Sequence, residues 1–249
     1  MKTDEFYNDL AEYYHLIYQD WEGSILRQAE MLDSIINEQW KDSETVLDVS
    51  CGIGTQSLGL AARGYSVTAS DLSFGAVERA RQEAEQRNLD IDFSAADMRE
   101  AHIHHQKQFD IVISCDNSVP HLLTDGDILT AFRQMYECTR PGGGCIISVR
   151  DYEKEDLSIQ QVKPYGIRQD GDTRWLIWQV WDPEPPLYTV SIYFVKDTGE
   201  SKCETSVFRS LYYAVGIPVL MDLMEKAGFE DVYRQDDSFF QPVIIGMRT

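Results

Sequence analysis

Basic charge is what this sequence most lacks: 22 Lys and Arg stand against 42 Asp and Glu, for a formal net charge of −20. That balance repels phosphate backbones and anionic membrane surfaces, so neither nucleic acid nor membrane is an expected partner. No apolar run approaches the roughly 20 residues needed to cross a bilayer. The opening MKTDEFYNDL also lacks the basic-then-apolar layout of a secretory signal. Disulfide patterning is missing as well. Five cysteines, an odd number without a CxxC pair, fit reduced thiols and a cytoplasmic setting. Neither an internal repeat nor a linker long enough to part independent domains interrupts the chain. What is present is a 249-residue chain with 43% hydrophobic residues, ample for a buried core. The acid excess also matches adaptation to high internal salt, which screens self-repulsion.

Along the chain, Ile25, Ala29, Leu32 and Ile36 recur at helical steps, with Glu30 and Glu38 on the wet face. From Thr45 the pattern changes to a short apolar strand, a glycine turn (CGIG) and a helix stopped by Gly64. A second strand ends at Asp71, and Ser73 is placed to cap the helix after it. Two further units follow as IDFSA and as FDIVIS with a helix near 127–139, and then PGGGCIISVR reads as a strand buried on both faces. Strands alternating with helices at this spacing imply an α/β fold with a parallel, doubly wound sheet. After Arg150, RWLIWQVW, YTVSIYFV and ETSVFRSLYY, parted by turn-rich DPEPP and KDTGE, read as an antiparallel β insertion. A last helix (PVLMDLMEKA) and a strand pair near Val232 and Val243–Met247 return to the sheet.

The glycine turn carries the chemistry. In VLDVSCGIG, residues 46–54, absent side chains let a ligand sit against the backbone at Cys51, Gly52 and Gly54. A dinucleotide fingerprint would need a third glycine where Ser57 stands. Asp48 at the strand end would oppose a pyrophosphate, yet it suits a cofactor carrying an ammonium and a sulfonium, as S-adenosylmethionine does. Asp71 closes the next strand, where a carboxylate can accept from both ribose hydroxyls. Leu72 and Met98 could sandwich an adenine, and Asp97 could accept from its amino group. Ser114, closing the FDIVIS strand, completes the cofactor candidates along the strand ends. Any one of these aspartates alone would more often be a turn former or a helix cap. Three successive strands closing on Asp favour the ligand reading.

DVSCGIG, Asp71, Asp97-Met98 and the RPGGG turn resemble the class I S-adenosylmethionine-dependent methyltransferases. The resemblance implies a Rossmann-like seven-stranded sheet with its last strand antiparallel, and S-adenosylmethionine across the first strand ends. It also implies one domain over 1–249: a helical cap at 1–40, a cofactor-binding core at 41–150, an antiparallel lid at 151–213, and a closing helix and strands at 214–249. Within the superfamily, DNSVPHLL (Asp116–Leu123), SVRDY, LIYQDW and LYY look most like the glycine/sarcosine N-methyltransferases. That likeness implies a small amino-acid acceptor served by Asn117 and Arg150, with Tyr18 and Tyr213 lining the methyl-transfer site. Tyr14 and Tyr212 are near-equal rivals for those two tyrosine roles. It also implies an arginine near Arg27 for the methionyl carboxylate of the cofactor.

The residues themselves agree in chemistry. Arg150 leaves a buried strand and offers a planar fork for a carboxylate, although a salt bridge to a neighbouring acid is its bland alternative. Asn117 can accept from an incoming amine through its side-chain oxygen. Tyrosine faces near a sulfonium are worth about 0.5–2 kcal/mol each. His121 could orient the acceptor or act as a base. His102, His104 and His105 read as a solvated loop and not a metal site, so no metal is expected. The expected reaction is in-line methyl transfer to the amine of glycine, sarcosine or a similar amino acid. The rivals are another small nucleophile as acceptor and a non-catalytic cofactor-binding protein.

Overall fold

The computed structural model describes residues 3–249; the first two residues of the expected 1–40 cap lie outside them. Helices α1 (Thr3–Leu10) and α2 (Trp21–Gln39) flank a short 3-10 turn at Tyr14–Ile17. Asp20 starts α2 by accepting the Gly23 N–H at 2.9 Å, and the apolar row Ile25, Ala29, Leu32 and Ile36 is buried while Glu30 and Glu38 stay exposed. At Gly59 of α3 (Thr55–Ala62) a Cβ would lie 2.6 Å from the Ala29 Cβ and 2.7 Å from the Ile25 carbonyl oxygen. Only glycine permits so close a crossing of α2 and α3.

The main sheet follows from the alternation. Strands β1 (Thr45–Asp48), β2 (Ser66–Asp71), β3 (Ile91–Ala95), β4 (Phe109–Ser114) and β5 (Thr139–Ser148) are parallel, joined through α3, α4 (Phe74–Gln86), α5 (Ala101–His105) and α6 (Asp125–Cys138). After α7 (Ile217–Ala227), β10 (Glu230–Gln235) forms the edge and β11 (Val243–Met247) inserts antiparallel to both β10 and β5. The spatial order is β10-β11-β5-β4-β1-β2-β3. This is the Rossmann-like seven-stranded sheet with one reversed strand, and its order switches direction at β1 and β4, where ligands of such sheets gather.

Every residue of the central β4 is buried. Neighbouring residues serve opposite faces: Leu47, Val112 and Ile147 pack toward α6 and α7, whereas Val46, Ile111, Ile113 and Ile146 pack toward α2, α3 and α4. Each such side chain removed from water stabilises the fold by about 1.5–3 kcal/mol before entropy is counted. The PGGG turn is tight. A Cβ at Gly143 would fall 2.2 Å from the Asp110 carbonyl oxygen, and one at Gly144 1.8 Å from the Trp40 ring.

The insertion is a separate antiparallel sheet, β6 (Gln161–Asp170), β7 (Thr173–Glu184), β8 (Leu187–Asp197) and β9 (Glu204–Tyr213). Three of its strands coincide with the expected segments, and β6 is an addition. Pro164 and a register shift before Gly166 break its pattern, which an edge strand tolerates. A second correction concerns the expected loop at His102–His105, which forms the short helix α5 on the buried Ala101. His104 Nε2 lies 2.9 Å from Ser94 Oγ and His105 Nε2 3.2 Å from Ser70 Oγ, so two of the three rings tie α5 to the sheet. Among the described residues no cluster suited to a metal ion occurs, and no helix is long and apolar enough to cross a membrane.

Candidate active site

β1 runs into the turn 49–54 and then α3. Gly52 and Gly54 take left-handed backbone there, at φ +52° and +95°. Backbone bonds fasten the turn to β2: Cys51 N–H donates to the Ser70 carbonyl at 3.0 Å and Gly52 N–H to Asp71 Oδ2 at 2.9 Å. The other Asp71 oxygen accepts the Ser73 N–H at 2.9 Å. A carboxylate has about four acceptor sites, so Asp71 keeps capacity for a diol. Burial raises its pKa, and burial likewise raises the Cys51 thiol, which keeps it protonated near neutral pH.

These strand ends open on a cleft of about 430 Å³. Cys51, Gly52, Asp71, Leu72, Asp97 and Met98 line it. Asp97 is already engaged by Arg99, accepting its amide N–H at 2.9 Å and its guanidinium at 2.6 Å. Burial would raise the Asp97 carboxyl, but the Arg99 bonds bring it below its ordinary value. Four other candidates stand apart. Asp48 lies beneath the turn, accepting from Ser57 Oγ at 2.7 Å and the Ser50 N–H at 3.2 Å, and burial pushes its carboxyl up to about 7. It holds the turn from below and does not face the cleft. Gly54 is set by packing, since a Cβ would meet Leu58 and Ala80 at 3.1–3.3 Å. Ser114 is buried with its Oγ 2.8 Å from Ser50 Oγ, and it is Ser50 that reaches the cleft. Arg27 pairs with Asp20 at 3.6 Å on the surface and borders a second cleft instead.

The second cleft, about 700 Å³, is walled by the cap, the ends of β4 and β5, and the inner face of the four-stranded sheet. Tyr7, Tyr14, Tyr18 and Asp116 line both clefts and form their junction. Tyr18 is one of the expected residues, and its hydroxyl donates to Asp116 Oδ2 at 3.0 Å. Arg150 lines the second cleft, with its guanidinium 4.7 Å from the Trp181 ring centroid and Nη1 3.3 Å from Glu155. Glu155 is shared with Lys163, and the buried Arg150 Nε has no hydrogen-bond partner among the described residues.

Asn117 also lines this cleft, but its side chain is spoken for. Oδ1 accepts the Arg150 N–H at 3.0 Å and the Tyr152 hydroxyl at 3.1 Å, and Nδ2 lies 2.8 Å from that same hydroxyl. The expectation that it receives an incoming amine therefore gives way to a positioning role, fixing where Arg150 leaves β5. His121 borders the first cleft, with Nε2 2.7 Å from the Tyr7 hydroxyl. Burial lowers its pKa to about 3, so it is neutral near pH 7 and suits orientation better than proton uptake at that pH. Tyr213 lies outside both clefts, bonded to Asp125 at 2.9 Å. Its neighbour Tyr212 is inside, its ring 4.0 Å from His121 and 5.4 Å from Tyr188. Side chains alternate along a strand, so a one-residue difference decides which tyrosine faces in.

Asp116 and Tyr7 are the residues that motif reasoning passes over. Asp116 extends the strand-end rule, for β4 also exits into an aspartate, two residues past Ser114. Asp116 and Asn117 both have positive φ, +58° and +65°, in a region that Asp and Asn enter more readily than most residues. Their N–H groups bond to Ser148, at 2.8 Å to its Oγ and 3.1 Å to its carbonyl oxygen. Tyr7 carries no local motif, and only the fold brings it to the strand ends.

Residues 46–143 match the family model described as a methyltransferase domain. Among curated relatives, the chain is 33% identical over 136 residues to the putative methyltransferase YqeM of Bacillus subtilis, spanning 54% of this chain and about half, 52%, of that protein. It is 24% identical over 230 residues to a glycine/sarcosine N-methyltransferase of Aphanothece halophytica, spanning 89% of this chain and 82% of the relative. Among solved structures it superposes on CalS10 of Micromonospora echinaspora, described as an S-adenosylmethionine-bound amino pentose methyltransferase. The TM-score is 0.78 at 17% identity, over 91% of this chain and 92% of that one.

Proposed function

We propose that this chain, whose residues 46–143 match a methyltransferase domain, transfers a methyl group from S-adenosylmethionine to the amine of a small molecule. The observation that carries the reading is the junction: a cleft suited to a nucleoside and a larger, tyrosine-rich cleft meet at Tyr7, Tyr14, Tyr18 and Asp116. In the first, Asp71 would take the ribose hydroxyls, Leu72 and Met98 would flank the adenine, and the Cys51–Gly52 backbone would border the amino-acid part. S-adenosylmethionine supplies a methyl on a positively charged sulfur, and transfer leaves S-adenosylhomocysteine. The chain's contribution is positioning and exclusion of water, so no covalent enzyme intermediate is required.

For the acceptor, the resemblance in DNSVPHLL and SVRDY supports an amino acid such as glycine or sarcosine, its carboxylate held by the Arg150 guanidinium that lines the second cleft. The size of the second cleft favours a bulkier amine. About 700 Å³ is the scale of a drug-sized ligand and far exceeds glycine, and amino sugars, the acceptor class of CalS10, fill such a space. Both readings share an amine beside Asp116. The test is incubation with methyl-labelled S-adenosylmethionine and separate panels of glycine, its N-methylated forms, amino sugars, phenols and carboxylic acids. Label in an amine product supports the proposal. Label only in a phenol or an ester replaces it, and cofactor binding without turnover on any panel makes the protein a binder.

A further inference from the structure

We infer that Asp116 is the cation site of the acceptor cleft: its carboxylate receives the acceptor as an ammonium and takes the proton that must leave before nitrogen can attack the methyl. The inference rests on the amine reading above and adds the residue that makes an amine reactive. Three observations carry it. Asp116 is half-buried at the junction of the two clefts, where acceptor and methyl donor must meet. One of its oxygens is held by the Tyr18 hydroxyl, while the other has, among the described residues, only Gln241 Nε2 at 3.5 Å, so a strong acceptor is left open toward the cavity. Around it stand Tyr14, Tyr18, Tyr165 and Tyr212, whose ring faces attract a cation in addition to the carboxylate.

The same surroundings tune the group. Burial raises the Asp116 carboxyl above its ordinary value, the Tyr18 bond and the charge of Arg150 partly offset that, and Tyr14, Tyr165, Tyr212 and Cys115 are its other titratable neighbours. A carboxylate with a raised pKa is a better proton acceptor near neutrality than one in water. His121, the other candidate base, is half-buried, neutral near pH 7 and bonded to Tyr7.

In the transfer, an N–H bond of the ammonium breaks and an O–H bond forms on Asp116. The freed nitrogen lone pair forms the N–C bond while the C–S bond breaks, with its electron pair retained by sulfur. The positive charge passes from sulfur to the methylated nitrogen, and Asp116 returns its proton to solvent as products leave.

The experiment uses the full chain with S-adenosylhomocysteine bound and titrates methylammonium chloride calorimetrically, with potassium chloride at equal ionic strength as control. Wild type is expected to bind methylammonium and Asp116→Asn at least tenfold more weakly, with S-adenosylhomocysteine affinity unchanged in the variant. In turnover with the amine found above, Asp116→Asn should lower kcat on the order of 100-fold. Its kcat should then climb with pH until the acceptor's own ammonium titrates, whereas wild type levels off at lower pH. Tyr18→Phe, which removes the donor to Asp116 and keeps the ring, should retain methylammonium binding and move the acid limb of kcat to higher pH. Undiminished methylammonium binding in Asp116→Asn, an unmoved acid limb in Tyr18→Phe, or a loss confined to S-adenosylhomocysteine affinity each overturns the inference. Failure of wild type to methylate any amine overturns the reading beneath it instead.

Discussion

At the scale of single residues, Asp48 shows how burial converts a motif residue into a pH-dependent strut. Its carboxyl sits under the glycine turn, pushed up to about 7 by burial, with the Ser57 and Ser50 bonds opposing that rise. An aspartate in the unfolded chain ionises near 3.9. Between about pH 4 and 7 the native state therefore holds a proton that the unfolded chain has released, and stability falls as pH rises through that window. Asp48→Asn has no proton to lose. Relative to wild type it is expected to gain stability on the order of a few kcal/mol between about pH 5 and 8, read from paired thermal melts. A melting difference that stays constant over that range contradicts the account. The same residue marks a limit of sequence reading. The strand-end pattern located Asp48 and Asp71 equally well, but only the turn geometry separates a carboxylate facing the cleft from one supporting it. Asn117 and Arg150 repeat the lesson, because a side chain's existing partners are invisible until the chain is folded.

At the scale of elements, β9 gives the sharpest case. Tyr212 and Tyr213 are adjacent and chemically identical, so no local signal ranks them. Pairing with β8, Tyr212 opposite Tyr188, turns Tyr212 toward the second cleft. Tyr212→Ala is expected to raise the acceptor KM at least tenfold and to lower stability by about 3 kcal/mol or more, the cost of deleting a packed aromatic ring. Tyr213→Phe should leave both within about twofold and 0.5 kcal/mol, as for a surface change. Equal effects from the two variants would contradict the assignment, and a larger one from Tyr213→Phe would invert it. The alternation of helix and strand, the glycine turn and three strands of the insertion were legible because apolar periodicity and turn residues act locally. β6 and α5 were not, since Pro164 and a histidine-rich run obscure patterns that partners in the sheet restore.

At the scale of the whole molecule, the charge of −20 governs the energetics of the surface. Several of the 22 cations are spent in exposed pairs such as Arg27–Asp20 and Lys226–Asp222, worth at most about 1 kcal/mol each. The uncompensated acids repel one another over distances that salt shortens, from a Debye length of about 10 Å at 0.1 M to about 3 Å at 1 M. Potassium chloride at about 2 M is therefore expected to raise Tm by several degrees over that at about 0.1 M. A fall in Tm would mean that attractive pairs outweigh the repulsion.

Arg168, on β6, reaches out of the four-stranded sheet and donates to the carbonyl oxygens of Ile17 and Tyr18. One guanidinium thus buttons the 3-10 turn of the cap to the sheet that walls the second cleft. Separating the four-stranded sheet from the cap would break both of these bonds, and one of them falls on Tyr18, whose hydroxyl donates to Asp116.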